Sequence, residues 1–278
     1  MNTFIFGIVL FAAFLHAAWN AIVKGGKNTI LTTVLVAAFG TLIAALVLPF
    51  TIQPARESWR FIMISVALQV IYFALIGYIY RVSEMSQTYP LMRGTAPLLV
   101  ALLGIVLIGE KVAVQAWIGI FLICGGILSM VVKHGKCSTK GMWLALLNAL
   151  IIAGYTIVDG IGVRLSHAPI GYILWIMVWQ GIILVGWRFI VNYIDFINYA
   201  KVYWRLGVIG GIGMMVSYGL ALWAMTFLPV VMVAALRETS ILFAMVLSAI
   251  FLKETIAITK GIGACLIVAG VIALRLAS

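Results

Sequence analysis

The sequence predicts an all-α membrane protein with ten transmembrane helices arranged as two inverted repeats of five helices. Three observations support this fold class. The 278 residues are 65% hydrophobic and 9% charged, with a mean hydropathy of +1.22, whereas soluble domains carry about 25% charged residues. Apolar stretches long enough to cross a bilayer, about 20 residues each, follow one another along the whole chain. Rare residues of the first half also recur in the second half at one constant spacing.

Ten apolar segments predict the membrane helices in chain order. The first lacks the basic residues that precede the apolar region of a signal peptide, so we interpret it as a retained membrane helix. The connections are too short to fold as a soluble catalytic domain, so the activity is expected within the membrane. The predicted helices are Thr3–Val23, Thr29–Thr51, Trp59–Tyr80, Met85–Ile108, Val114–Val132, Gly141–Gly160, Gly171–Val191, Trp204–Phe227, Val230–Leu252 and Ile256–Leu276.

The net charge of +11 comes from Lys and Arg near helix ends, such as Lys24 and Lys27, where they meet lipid headgroups. No basic patch is interleaved with stacking aromatic residues, so no nucleic-acid partner is predicted. The cysteines, Cys124, Cys137 and Cys265, have no metal-ligand spacing and form no disulfide framework. We therefore expect no metal and no cofactor, and place the protein as a multi-pass component of the bacterial inner (plasma) membrane.

An offset of 144 residues aligns the two halves of the chain. Matches between Leu and Ile arise easily by chance, but shared Arg, Glu and Gly at one offset do not. Because five is an odd number of crossings, the second copy enters the bilayer from the opposite side, and such inverted repeats are typical of secondary transporters. The boundary is predicted in the connection 133–140, which divides the chain into repeats 1–136 and 137–278. The matched rare residues are Arg93/Arg237, Thr95/Thr239, Glu110/Glu254, Gly119/Gly263 and Gly126/Gly270.

The ends of both copies share a recognisable pattern. In the first copy it comprises Ala96-Pro97-Leu98-Leu99, Leu107-Ile108-Gly109-Glu110-Lys111, Trp117-Ile118-Gly119 and Gly125-Gly126. In the second it comprises Leu252-Lys253-Glu254-Thr255, Gly261-Ile262-Gly263 and Gly270. These motifs, with the opening His16-Ala17-Ala18-Trp19-Asn20, resemble the EamA domain, the repeat unit of the drug/metabolite transporter superfamily. The second copy departs from the pattern at Lys253, where Gly is usual, and at Ile241, which replaces Pro97.

The resemblance implies ten helices and alternating access around a central cavity. The cavity would be lined largely by the first, third and fourth helices of each copy. A family resemblance does not select a substrate. It also implies cytoplasmic termini, whereas the distribution of Lys and Arg between the two sides favours the opposite orientation.

Arg93 and Arg237 are the central site prediction. Each lies about nine residues into its predicted helix, and a charge at such depth is costly unless it faces a polar interior. Two guanidinium groups suit a carboxylate, phosphate or phosphonate; the alternative is an ion pair that joins helices. Glu238 follows Arg237 directly and is predicted either to pair with Arg93 or to carry a proton.

Other polar residues in the predicted helices are expected to face the same cavity. His16 and Asn20 are four residues apart and share a helix face, although a packing role for His16 remains open. Tyr155 and Asp159 form a similar pair, with Asp159 alternatively paired to Arg164. The predicted substrate-binding residues are Arg93, Arg237, Glu238, His16, Asn20, Trp19, Gln69, Tyr72, Tyr155 and Tyr218.

Two further matched sets are predicted to be structural. Glu110 and Glu254 lie at helix ends and are expected to cap or pair in the junctions. Gly119, Gly126, Gly263 and Gly270 leave smooth helix faces for close packing at a repeat or dimer interface.

The predicted function is secondary active transport of a small polar metabolite, anionic or zwitterionic, by alternating access. A P-loop is absent from the sequence, so a gradient or exchange would supply the energy, and proton coupling stays open. The alternatives are a membrane-embedded enzyme, which the scattered His16, His134 and His167 do not favour, and a non-transporting scaffold. The expected partners are a small-molecule substrate and the lipid bilayer, and the chain is expected to be a monomer or a homodimer.

Overall fold

A computed structural model describes residues 2–130, 139–251 and 258–276, which are mostly helical, with no strand among them. The predicted all-α class is therefore confirmed. Eight helices in the described ranges are long and apolar enough to cross a membrane, so the protein is an integral multi-pass membrane protein. The helices are α1 (Thr3–Gly25), α2 (Thr29–Val47), α3 (Trp59–Val82), α4 (Met85–Leu103), α5 (Val114–Ser129), α6 (Thr139–Leu165), α7 (Pro169–Ala224), α8 (Val230–Arg237), α9 (Ser240–Phe251) and α10 (Ile258–Leu276).

The predicted count of ten helices is not confirmed, because two regions differ from the prediction. The segment 192–203, predicted to connect two helices, is itself helical and is joined to the helices on either side by kinks at Asn192 and Tyr203, so that α7 spans 56 residues in kinked parts. This segment contains neither Gly nor Pro, the residues that most strongly end a helix. Backbone torsions leave the helical region only at Asn192 and Tyr203.

The two parts of α7 fold back against a common neighbour. A Cβ atom added at Gly181 would overlap Thr41 Oγ1, and one added at Gly211 would lie 2.7 Å from Gly40 N. Gly181 and Gly211 therefore touch adjacent residues of α2, although they are 30 positions apart. A straight helix of this length would measure about 84 Å at 1.5 Å per residue, so the kinks allow both parts to lie beside α2.

The predicted ninth helix is interrupted between α8 and α9. The amides of Glu238 and Thr239 donate to the carbonyl oxygens of Ala235 and Leu236, three residues back, at 3.2 and 3.1 Å. The Thr239 hydroxyl also donates to the Leu236 carbonyl oxygen at 2.7 Å. This tight turn lies beside Arg237 and places Glu238 at the interruption itself.

The glycines that match at the offset of 144 residues form the contact between α5 and α10. A Cβ atom on Gly119 would lie 2.8 Å from the Gly270 carbonyl oxygen, and one on Gly126 would lie 2.7 Å from that of Gly263. Such distances leave no room for a side chain, so the backbones pack directly against each other. The predicted packing role is confirmed, and the contact lies between the two halves of one chain.

Glu110 caps the start of α8. Its carboxylate accepts from the amides of Val230 at 2.9 Å and Val231 at 3.3 Å, and it pairs with Arg164 at 3.1 Å. Amides in the first turn of a helix have no partner within the helix, and a carboxylate satisfies them well. The predicted structural duty of Glu110 is confirmed; its counterpart Glu254 lies outside the described residues.

Candidate functional site

A small cavity of about 20 Å³ lies between α4, α6 and α8. Both matched arginines and Glu238 face it, as the repeat predicts for Arg93 and Arg237. The rest of its wall is mainly small and aliphatic, so these three groups dominate its electrostatics. The lining residues are Arg93, Ala96, Pro97, Val100, Ile152, Tyr155, Thr156, Ala234, Arg237 and Glu238.

Arg93 forms an ion pair with Glu238 across the cavity. The distance from Arg93 Nε to Glu238 Oε2 is 3.0 Å, and the two side chains are only 9% and 6% exposed. The other end of the Arg93 guanidinium lies 3.4 Å from the Ser240 hydroxyl, to which it donates a weak hydrogen bond. Of the two roles predicted for Glu238, the structure shows the pairing with Arg93.

Arg237 has a different environment. Its guanidinium carbon lies 5.7 Å from the centre of the Tyr218 ring, a cation–π contact that leaves hydrogen-bond donors available. No carboxylate of the described residues lies within 4 Å of it, and its side chain is only partly buried. The two matched arginines are therefore not equivalent, because Glu238 reaches across the cavity to Arg93 and not to its own neighbour.

Asp159 lies behind Tyr218, fully buried in α6. The Tyr218 hydroxyl donates to one of its carboxylate oxygens, and the Tyr172 hydroxyl donates to the other at 3.2 Å. The alternative pairing of Asp159 with Arg164 is wrong. The Arg164 guanidinium instead pairs with Glu110.

Two glutamines extend this network. Gln69 Nε2 donates to the Tyr218 hydroxyl at 3.0 Å and to the Ser65 hydroxyl at 2.9 Å. Gln180 Nε2 donates in turn to Gln69 Oε1 at 3.0 Å. The chain of hydrogen bonds fixes the orientation of the Tyr218 ring, and thereby the surface on which Arg237 lies.

The predicted residues of α1 lie at the margin of this cluster. The His16 ring contacts that of Trp19 edge to face at 5.3 Å, and His16 is within electrostatic range of both Arg93 and Arg237. The Asn20 amide donates to the His16 carbonyl oxygen at 2.7 Å, which satisfies it within its own helix. None of the three lines the cavity between α4, α6 and α8.

Two tyrosines complete the predicted set. Tyr155 lines the cavity, and its ring meets that of Tyr72 edge to face at 6.0 Å. Both are within electrostatic range of Arg93. Their rings form an aromatic wall beside the arginines, with hydroxyls able to bind polar groups of a ligand.

Sequence reasoning missed Tyr172, Gln180 and Ser240. Gln180 had a usable signal, because an uncharged polar residue in the middle of an apolar helix must find a partner. Tyr172 had none, since it lies at the start of its predicted helix, where such residues are common, and Ser240 had none, since small residues are common within membrane helices. Their partners are distant in sequence, and only the packing of the helices brings them together.

The chain is similar to known proteins in its family profile and in its fold. The profile of the EamA-like transporter family matches residues 139–276. A crystal structure of another protein superposes with a TM-score of 0.75 at 16% identity, covering 99% of this chain and 96% of that chain; a likeness at this identity shows the fold alone. A search of curated proteins found no match. Residues 139–276, the second half of this chain, are therefore similar to the EamA-like transporter family.

Proposed function

We propose that this protein is a secondary active transporter that moves a small anionic or zwitterionic metabolite by alternating access. The observation that carries the proposal is the unpaired charge of the cavity. Glu238 compensates Arg93 at 3.0 Å, whereas Arg237 faces the same space with only a tyrosine ring against it. A partly buried guanidinium that has no carboxylate of the described residues within 4 Å favours the binding of an anionic group.

The substrate would bind with its anionic group against Arg237. The planar guanidinium can donate two parallel hydrogen bonds to a carboxylate or to a phosphonate. Tyr155 and Tyr72 would contact the rest of a small molecule, and Glu238 could accept from a cationic group. A zwitterion would therefore use both signs of charge in the cavity, and a simple anion would use only Arg237.

Two inverted repeats, 1–136 and 137–278, would provide the alternating access. The glycine contacts support this arrangement, because an exchange of Gly119 with Gly263 and of Gly126 with Gly270 converts one close contact into the other. A twofold axis between α5 and α10 would produce that relation. Ten crossings follow if α7 contributes two and α8 with α9 contribute one. We place the protein in the inner (plasma) membrane of a bacterium.

Transport can be tested with purified protein in liposomes. The assay is counterflow exchange of labelled pyruvate, succinate, methylphosphonate, inorganic phosphate, alanine and glutamate, each at equal pH on both sides. We expect exchange of at least one compound by the wild type and its loss in Arg237→Ala. Arg205→Ala is a matched control, because Arg205 makes a similar contact, 5.6 Å from the Trp204 ring centre, on an exposed surface.

Two results would contradict the proposal. If the wild type exchanges none of these compounds, the protein does not transport this class of metabolite. If Arg237→Ala retains full exchange, the substrate does not depend on this guanidinium. Chemical conversion of a compound in the absence of flux would instead favour a membrane-embedded enzyme.

A further inference from the structure

We propose that Asp159 takes up one proton when the anionic substrate binds at Arg237, so that substrate and proton move together. This inference rests on the proposed transport function. Asp159 is 0% exposed and does not line the cavity. No cationic group of the described residues lies within 4 Å of it. A carboxylate in such a place is stabilised only by hydrogen bonds and by more distant charges.

The groups around Asp159 come from four helices. On α7, the hydroxyls of Tyr172 and Tyr218 donate to its two oxygens. On α3, the Ser65 hydroxyl lies near it and accepts from Gln69. On its own helix, Tyr155 is within electrostatic range.

The fourth helix, α8, contributes the positive charge, Arg237, which is within electrostatic range of Asp159. Arg164, one turn further along α6, is engaged by Glu110 at 3.1 Å and by the carbonyl oxygens of Met225 and Leu228 at 2.8 and 2.9 Å. The hydrogen bonds from Tyr218 and Tyr172 stabilise the Asp159 carboxylate at short range, and Arg237 adds the longer-range attraction of a positive charge.

Tyr218 connects the two charged groups. Arg237 lies against its ring at 5.7 Å, and its hydroxyl donates to Asp159. An anion bound to Arg237 cancels the positive charge that stabilises the Asp159 carboxylate. The carboxylate then binds a proton from the aqueous side open at that moment and becomes a neutral carboxyl group. By linkage, the proton and the anion each favour the binding of the other.

Glu238 is not suited to this role. Its oxygen lies 3.0 Å from Arg93 Nε, and this ion pair persists when the substrate occupies Arg237. The neighbouring carboxylate therefore keeps its own counterion throughout, while Asp159 loses the attraction of Arg237. The two matched arginines therefore have different roles in this proposal: Arg93 pairs with Glu238, and Arg237 binds the substrate.

The decisive measurement is the KM for exchange as a function of pH, in proteoliposomes with equal pH on both sides. The probe is the compound of the six-member panel that the wild type exchanges fastest. Uptake of one proton makes the KM of the wild type rise by up to about tenfold per pH unit where Asp159 is ionised. In Asp159→Asn we expect the slope of log KM against pH to be one unit lower than in the wild type. Because both proteins are measured with the same probe, this difference also corrects for any titration of the probe. Asp195→Asn, a change of the same kind at a side chain that is 60% exposed, retains the wild-type slope.

A gradient experiment and a spectrum complete the test. With the outside acidic, we expect the wild type to accumulate the probe and Asp159→Asn to exchange it without accumulation. If the Asn variant does not fold, the infrared difference spectrum of the wild type, with probe minus without, still decides, because probe binding must add the band of one protonated carboxyl group. A retained slope in a folded Asp159→Asn variant, or a spectrum without that band, overturns the proposal. Absence of any exchange by the wild type instead refutes the proposed function.

Discussion

The buried pair of Arg93 and Glu238 gives a sharp prediction for stability. The pair has a separation of 3.0 Å and side chains 9% and 6% exposed. Its Coulomb attraction is about 5 kcal/mol at an effective dielectric constant of about 20, and desolvation of both ions offsets much of this. Removal of one partner leaves the other charge buried without compensation, which costs about 3–5 kcal/mol.

The two single substitutions are expected to differ. Glu238→Met leaves Arg93 in the cavity beside a second cation, Arg237, and should cost near the upper end of about 3–5 kcal/mol. Arg93→Met leaves Glu238 within electrostatic range of Arg237, which partly replaces the lost partner, so this variant should be less destabilised. The double variant removes both members of the pair, so neither is left buried without its partner, and it should be more stable than either single variant.

Unfolding in mixed micelles by SDS titration, followed through the fluorescence of the nine tryptophans, measures these differences. Asp195→Met is the control, because Asp195 pairs with Arg188 at 3.6 Å while 60% exposed, and exposed pairs contribute about 0–1 kcal/mol. If the losses of unfolding free energy in the two single variants add up in the double variant, Arg93 and Glu238 do not interact and the pairing is refuted.

Three further predictions use the same preparations. Gly126→Ala should cost about 1–3 kcal/mol because the new methyl group meets the backbone of α10, while Gly125→Ala, with nothing within 4 Å, should change the unfolding free energy little; equal effects would contradict the close contact. Arg237→Lys should raise the KM for exchange about tenfold or more, since the ammonium cannot form the two parallel hydrogen bonds of a guanidinium; an unchanged KM would argue against a bidentate site. Glu110→Gln should lower the unfolding free energy by about 1–3 kcal/mol because Arg164 loses its counterion; an unaltered SDS midpoint would show that the cap contributes nothing.

The sequence determined the fold class and the membrane location through composition alone, because the length of apolar stretches is a local property of the chain. It also located the repeat, since rare residues at one offset leave a pattern that needs no coordinates. The structural duties of Glu110 and Gly126 followed in the same way. The sequence could not show that residues 192–203 are helical, because polar residues are equally common in connections and in helices outside the bilayer.

Only the tertiary structure decided which side chains form ion pairs and hydrogen bonds with one another. Glu238 is adjacent to Arg237 in sequence, yet it pairs with Arg93, because successive residues of a helix point to different sides. Asp159 bonds to Tyr218 and Tyr172 rather than to the nearby arginine of its own helix. Such pairs depend on how neighbouring helices are rotated and how closely they pack, and a shift of a few ångströms removes them. The sequence thus supplied the charged groups of the site, and the packing of the helices determined which of them compensate one another.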